Sequence, residues 1–358
     1  MPKIRVLIVD DSIVFRSQIR ASLEGSDMIE VVGVASHGKI AIEKMKQTTV
    51  DLVTLDLEMP EMNGLETLNE MRKQGLKAQV IVFSSQSQKG AKATIEALNS
   101  GASDFVPKPA GTTVETAAQV IRAELLPRIL SLHSRKSVTS TTSSPMKSAP
   151  PLRSPFFRVN IEQLKPEVIV IGCSTGGPNA LEQIFKELRP PICCPILIVQ
   201  HMPAVFTASL ASRLTAISGI ETREAEHLEP LQPNRIYVAP GNFHMQLGKN
   251  ETGVHILLDQ GPLRNSVRPA VDPLFESAAQ IFGSKCAAFV LTGMGDDGRS
   301  GAIAIKEARG AVMIQDKESC VVYGMPAKVE EAGAFDKTGN LFEIKQVLSR
   351  LSHLKGAA

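Results

Sequence analysis

The chain has 358 residues, enough for about two domains. Its hydrophobic content of 43% and charged content of 21% suit a globular protein, and a formal charge of +2 gives no reason to expect nucleic-acid binding. No apolar run approaches the roughly 20 residues that a membrane span needs, and Asp10 and Asp11 interrupt the apolar start too early for a secretion signal.

The first 131 residues alternate strand and helix patterns. β-Branched runs at Ile4–Val9, Ile29–Val34, Leu52–Leu55 and Val80–Phe83, with a weaker one near Phe105, predict five strands. Phe15, Ile19 and Leu23 recur at helical spacing behind Ser12, which suits an N-cap. HGKIAIEKMK and GLETLNEMRKQG, the latter ending at Gly75, supply further helices. Five strands alternating with helices in about 130 residues predict right-handed βαβ units and a flavodoxin-like, doubly wound (βα)5 domain.

Asp10 and Asp11 end the first of these strands and Asp56 ends the third. In such a sheet they converge at the carboxyl edge. Clustered carboxylates repel unless a hard cation sits among them, and Mg²⁺ prefers oxygen ligands. Ser84 ends the fourth strand and Lys108 follows the fifth. A cation, a hydroxyl and an ammonium around one Asp make a site for an acyl phosphate.

From Leu132 to Asn160 the composition turns Ser-, Thr- and Pro-rich and basic, which predicts a flexible linker. After it the α/β alternation resumes over residues 161–358. Pro178 suits a first helical turn, with Leu181, Ile184, Phe185 and Leu188 as the buried stripe. Arg235–Ala239 and Val254–Leu258 read as strands separated by a turn at PGNFH, so a mostly parallel sheet with antiparallel additions is expected. The five cysteines, Cys173, Cys193, Cys194, Cys286 and Cys320, lie in or beside apolar segments without CxxC spacing, which fits buried free thiols in a reducing cytoplasm.

Three apolar runs of this half end in polar residues: VIVIGCSTGG delivers Ser174, ICCPILIVQH delivers His201 and AAFVLTGMGDDG delivers Asp297. A Ser nucleophile needs a base, and the base needs a carboxylate to orient it. Cys173 competes as nucleophile, but neighbours at a strand end face opposite ways, which favours Ser174. His244 competes as base from the PGNFH turn, and Asp296 with Asp297 as carboxylate. The free N–H groups at the helix start after GCSTGG suit an oxyanion and equally a bound phosphate, and the motif has neither the GxGxxG nor the GxxxxGK[ST] spacing.

Residues 1–131 resemble a response-regulator receiver domain, with VDDS, DLEMPEMNGLE, VFSS and DFVPKP in that family's order. The resemblance implies phosphorylation at Asp56 by a chemotaxis histidine kinase. It also implies Mg²⁺ held by Asp11, Asp56 and the Glu58 carbonyl, with Asp10 acting through water. Ser84, Phe105 and Lys108 take the switch and lysine positions. Residues 166–350 resemble the catalytic domain of the chemotaxis protein-glutamate methylesterases, through IGCSTGG, VQHMP, IYVAPGNFH, GPLRNSVRPAVDPLFES and LTGMGDDG. That resemblance implies the triad Ser174, His201 and Asp297, with the Met294 backbone in the oxyanion hole. It implies a cytoplasmic, phosphorylation-activated enzyme that demethylates glutamate esters and deamidates glutamines on methyl-accepting chemoreceptors. No cofactor is expected at the ester site, nor nucleic-acid binding or membrane insertion, and a monomer is expected. Cys173 stands where that family commonly has Ala or Gly.

Overall fold

The computed structural model describes residues 3–109, 114–134 and 155–353. The chain divides into two compact units, Met1–Thr142 and Ser143–Ala358. In the first, β1 (Ile4–Val9), α1 (Ile13–Leu23), β2 (Ile29–Ala35), α2 (Gly38–Gln47) and β3 (Leu52–Asp56) lead to α3 (Gly64–Lys73) and β4 (Gln79–Ser84). Then come α4 (Gln88–Asn99), β5 (Asp104–Pro107) and α5 (Val114–Ser134). The strands pair in parallel in the order β2-β1-β3-β4-β5, which is the flavodoxin-like order. Local chemistry sets the helix starts. The Ser12 hydroxyl accepts the Phe15 N–H at the head of α1, and Asn63 and Glu66 form a reciprocal capping box on α3.

The second unit is built on β6 (Val168–Cys173), α6 (Gly177–Phe185), β7 (Ile196–Gln200), α7 (Ala204–Ser218), β8 (Thr222–Glu224) and β9 (Ile236–Val238). It continues through β10 (His244–Asn250), β11 (Gly253–Asp259), α8 (Val271–Phe282), β12 (Cys286–Val290), α9 (Arg299–Glu307) and β13 (Ala311–Gln315). It closes with α10 (Met325–Glu331), β14 (Lys337–Gly339) and α11 (Leu341–His353). Seven strands pair in parallel in the order β14-β13-β12-β6-β7-β9-β8. All six residues of β6 are buried, as a strand covered by helices on both faces requires. The chain moves from β6 outward to β7, and later returns to place β12 on the other side of β6. The topological switch point is therefore at β6, and the crevice beyond its carboxyl end is where such sheets bind ligands.

Two expectations need correction. Arg235–Ala239 and Val254–Leu258 do not flank a single turn. β9 joins the parallel sheet, and β11 pairs antiparallel with β10, a strand that sequence reading passed over. Only Met245 and Leu247 give β10 an apolar face, and Gly248, Lys249 and Asn250 mask the alternation. The linker expected over Leu132–Asn160 is also shorter at both ends. Leu132 lies in the last turn of α5, and Val159 N–H donates to Asp336 Oδ1 at 2.6 Å, while Phe156 packs against the core of the second unit. Residues 135–154 of that segment lie outside the described residues.

Candidate functional site

The crevice at the switch point is assembled from three strand ends. Ser174 directly follows β6 and His201 directly follows β7. The parallel register pairs Cys173 with Gln200, so these two residues stand side by side, and His201 N–H donates to Cys173 O at 3.2 Å. Ser174 N–H donates to Thr292 O, just beyond β12, at 3.0 Å. The turn after Ser174 is tight. Gly176 holds φ +78, and a Cβ there would lie 2.5 Å from Val321 Cβ. Gly293 approaches from the other side so closely that a Cβ on it would lie 2.8 Å from Ser174 Cβ. Gln200 braces the turn, donating to Ser174 O at 3.0 Å and accepting the Cys173 thiol at 3.1 Å.

Asp297 follows β12 and is 2% exposed. Its Oδ2 lies 2.7 Å from His201 Nε2 and accepts the Val271 N–H at 2.6 Å. Its Oδ1 accepts from Asn265 Nδ2 at 2.9 Å and from the N–H groups of Asp272 and Gly298, each at 3.1 Å. Burial opposes ionisation of this carboxyl, but the His201 ring and the Val271 and Asp272 N–H groups outweigh it and hold the group below the usual carboxylate range. With Nε2 turned to Asp297, Nδ1 is the ring nitrogen left for the serine. Among the described residues the Ser174 hydroxyl makes no hydrogen bond to His201. Catalytic hydrogen bonds of this kind are often long until substrate enters. The Met294 N–H, beside Gly293, has no acceptor among the described residues.

The competitors are placed elsewhere. Cys173 is fully buried, and burial pushes its thiol well above the ordinary range, away from reactive thiolate. His244 is not in a turn but opens β10, where it is 3% exposed. Its Nε2 meets Pro262 O at 3.0 Å and its Nδ1 accepts the Ala270 N–H at 3.2 Å, so both ring nitrogens are engaged. Asp296 is exposed, and the carboxylate bonded to the His201 ring is that of Asp297. All five cysteines are free, although Cys193 is only half-buried. Sequence reading did not single out Gln200, Asn265 or Asp272. Asn265 and Asp272 lie inside the GPLRNSVRPAVDPLFES segment, but no periodic signal marks their contacts.

The first unit carries a different site. Asp10 and Asp56 are buried and Asp11 is exposed, and ligand oxygens from all three lie within 4.8 Å of one another. Lys108 Nζ reaches Asp10 at 3.0 Å and Asp56 at 2.8 Å. Burial pushes the Asp56 carboxyl up to about 6 against the pull of Lys108, and the Asp10 charge adds to the rise. One ammonium among three carboxylates leaves uncompensated negative charge, and oxygen ligands at this spacing suit a small hard divalent cation. Ser84 lines the same small cleft as Asp56, Gly90 and Lys108, and its Oγ donates to Gly90 O at 3.0 Å. Glu58 N–H donates to Asp56 Oδ1 at 3.4 Å, and its side chain pairs with Lys89. Phe105, within β5, is 6% exposed.

Comparison with known proteins covers both units. Residues 169–348 match the family model described as CheB methylesterase, and residues 6–118 match the response regulator receiver domain. A protein-glutamate methylesterase/protein-glutamine glutaminase of a Nocardioides species is 41% identical, across 98% of this chain and 96% of its own length. The protein of the same description from Trichodesmium erythraeum is 42% identical across 98% and 99%. The crystal structure of the Thermotoga maritima CheB methylesterase catalytic domain is 44% identical, with a TM-score of 0.51, and covers 52% of this chain and 100% of its own.

Proposed function

The chain belongs to the CheB methylesterase family, with a response regulator receiver domain in front, and from that premise we propose that its switch-point crevice hydrolyses glutamate γ-methyl esters and glutamine side-chain amides under phosphorylation control. The observation that carries the reading is the 2.7 Å contact of His201 with a deeply cradled Asp297, one register position from the strand end that delivers Ser174.

Ser174 attacks the ester carbonyl, and His201 takes its proton through Nδ1. Asp297 holds the ring by Nε2 and stabilises the imidazolium that forms. The tetrahedral oxyanion is received by the Met294 N–H, with help from the Thr175–Gly177 turn at the head of α6, where the N–H groups and helix dipole favour negative charge. His201 returns the proton to the departing methoxide. Water then enters against the acyl-enzyme by the same route in reverse. A primary amide passes through the same oxyanion, so ammonia release from glutamine uses the same groups. The substrates that fit are methyl-accepting chemoreceptors.

In the receiver unit Asp56 is the phosphoryl acceptor, with a chemotaxis histidine kinase as donor. Asp10, Asp11, Asp56 and the Glu58 carbonyl would hold Mg²⁺, which supplies charge neutralisation for an incoming phosphoryl group. Lys108 pairs with the phosphoryl oxygens, while Ser84 and Phe105 form the responding surface. Phosphorylation relieves a restraint that the receiver places on the esterase, a two-state shift that needs only a modest differential interaction. No helix among the described residues is long and apolar enough to cross a membrane, and a cytoplasmic monomer suits the reading. The test is methanol release from methylated receptor by the purified chain. Parent activity that vanishes in Ser174→Ala supports the assignment, and Ser174→Ala at parental rate refutes it.

A further inference from the structure

Asp297 shares its surroundings with a second buried carboxylate that the reaction does not use. Asp272, in the first turn of α8, is 3% exposed, and its Oδ1 accepts the N–H of Gly298 at 3.0 Å and of Gly301 at 2.8 Å, at the head of α9. Asp297 in turn accepts the N–H of Val271 and of Asp272, at the head of α8. The two helices therefore exchange carboxylates across their N-termini, each charge lying where a helix dipole favours it.

One side chain joins the two carboxylates. Asn265 Nδ2 lies 2.9 Å from Asp297 Oδ1 and 2.9 Å from Asp272 Oδ2. A primary amide nitrogen carries two N–H bonds, and here one serves each anion. The reversed amide would set its carbonyl oxygen against both carboxylates, so electrostatics fixes the orientation. Asn265 and the following Ser266 have φ of 51° and 64°. Asn tolerates that region better than most residues. That backbone turns a short side chain inward from a loop whose residues are themselves exposed. Charged groups that act on the pair include His201, Arg264 and Glu276. Arg264 is bonded to Glu276 at 2.9 Å and interacts with both Asp272 and Asp297. Burial pushes the Asp272 carboxyl up, and the Asp297 charge adds to the rise. Two donors lie between the carboxylates and relieve that repulsion: the Gly298 N–H, which reaches both Oδ1 atoms, and the Asn265 amide.

We infer that Asn265 is a positioning residue of the esterase, whose amide ties Asp297 Oδ1 to Asp272 and thereby sets the direction from which Asp297 Oδ2 meets His201 Nε2. Rotation of the Asp297 carboxylate would move both oxygens together. The three donors on Oδ1 resist that rotation together with the Val271 N–H on Oδ2, and of these four only Asn265 is not backbone. The role rests on the esterase reading given above. It requires no contact with substrate, so its loss falls on turnover rather than on binding.

The test uses the full chain and release of labelled methanol from receptor membranes carrying tritiated methyl esters, with Ser174→Ala alongside. Asn265→Ala should lower kcat by about tenfold or more and leave KM within about twofold, because an interaction that orients the catalytic unit is removed while the binding surface is kept. Asn265→Asp places a third carboxyl between two, and only its protonated form can donate. Its rate relative to the parent should therefore fall by about tenfold between about pH 6 and pH 8. An Asn265→Ala protein with parental kcat, or one whose loss lies in KM, overturns the inference. So does a flat pH ratio for Asn265→Asp. A parent chain no faster than Ser174→Ala refutes the esterase reading itself. A Ser174-dependent parent with an unaffected Asn265→Ala refutes only the clamp.

Discussion

Asp56 and Asp297 both stand at the carboxyl edge of a parallel sheet, and both are almost fully buried, at 3% and 2% exposure, yet their surroundings shift them in opposite directions. Asp56 has the Lys108 ammonium and one long N–H bond from Glu58, with Asp10 beside it. Asp297 has the His201 ring, the Asn265 amide and three backbone N–H groups. The first carboxyl is pushed up to about 6 and the second is held below its ordinary value. The contrast follows the two kinds of work proposed for them. A phosphoryl acceptor must keep lone pairs free for an incoming group and a cation, so it cannot be saturated with protein donors. An orienting carboxylate must stay ionised and still through each turnover, so saturation is what it needs.

The largest effect that can break this comparison is on chemistry. Ser174→Ala and His201→Ala should each lower esterase turnover by roughly a thousandfold or more, since triad members act as a unit. Neither change should alter phosphodonor labelling of Asp56. Loss of labelling in Ser174→Ala, or retained turnover in His201→Ala, would contradict the division of roles.

Next comes stability, where the two aspartates should respond with opposite sign. A raised carboxyl value means the folded chain binds the proton more tightly than the unfolded one. The penalty for ionising Asp56 therefore grows as pH rises from its ordinary value of 3.8 to about 6 and is complete above that. Asp56→Asn should raise the unfolding temperature of the receiver unit at neutral pH without divalent cation, by an amount equivalent to no more than about 3 kcal/mol. Asp297 is the reverse case. Its stabilisation is present above the ordinary carboxylate value and is lost as pH falls through the depressed one, so Asp297→Asn should destabilise, by about 1–3 kcal/mol. Thermal unfolding at pH 7.5 checks both, and shifts of the same sign would refute the contrast.

A titration followed by carboxyl-carbon NMR sharpens the same point. Asp56 should titrate near pH 6 without divalent cation and move lower when Mg²⁺ is added, because a cation favours the charged form. Asp297 should remain ionised to pH values below the usual range, and Mg²⁺ should leave it unmoved.

Much of this architecture was legible in the sequence, for physical reasons. Buried parallel strands are near-continuous apolar runs, β-branched in β1, β3 and β6 and Ala-rich in β12, so they stand out, and the polar residues at or just beyond their ends mark the two crevices. Ser12 and Pro178 signal helix starts because capping and first-turn chemistry are local. β10 escaped because an edge strand of a two-stranded sheet needs only one apolar face, and His244 was misplaced with it. The Asn265, Asp272 and Asp297 network escaped for another reason. Its contacts span 7 to 32 positions and are made by loop and helix-start residues, where no periodicity encodes who meets whom. Asp297 could be separated from Asp296 by sequence only through family resemblance, whereas burial and the His201 contact separate them in the fold.

The smallest effect concerns coupling between the units. A catalytic fragment should retain Val159 and Phe156, since both attach to the second unit. Beginning it at Pro155, we expect activity above that of the unphosphorylated whole chain by about tenfold, the shift that a restraint of about 1.4 kcal/mol would produce. A fragment slower than the whole chain would mean that the receiver assists rather than restrains.

The most direct measurement joins the two carboxylates in one assay. Methanol release from methylated receptor is followed with the whole chain, before and after a small-molecule phosphodonor and Mg²⁺, in the parent and in Asp56→Asn. The account predicts Ser174-dependent release that rises by about tenfold in the parent and does not rise in Asp56→Asn. No release from the parent, or an equal rise in both proteins, would contradict it.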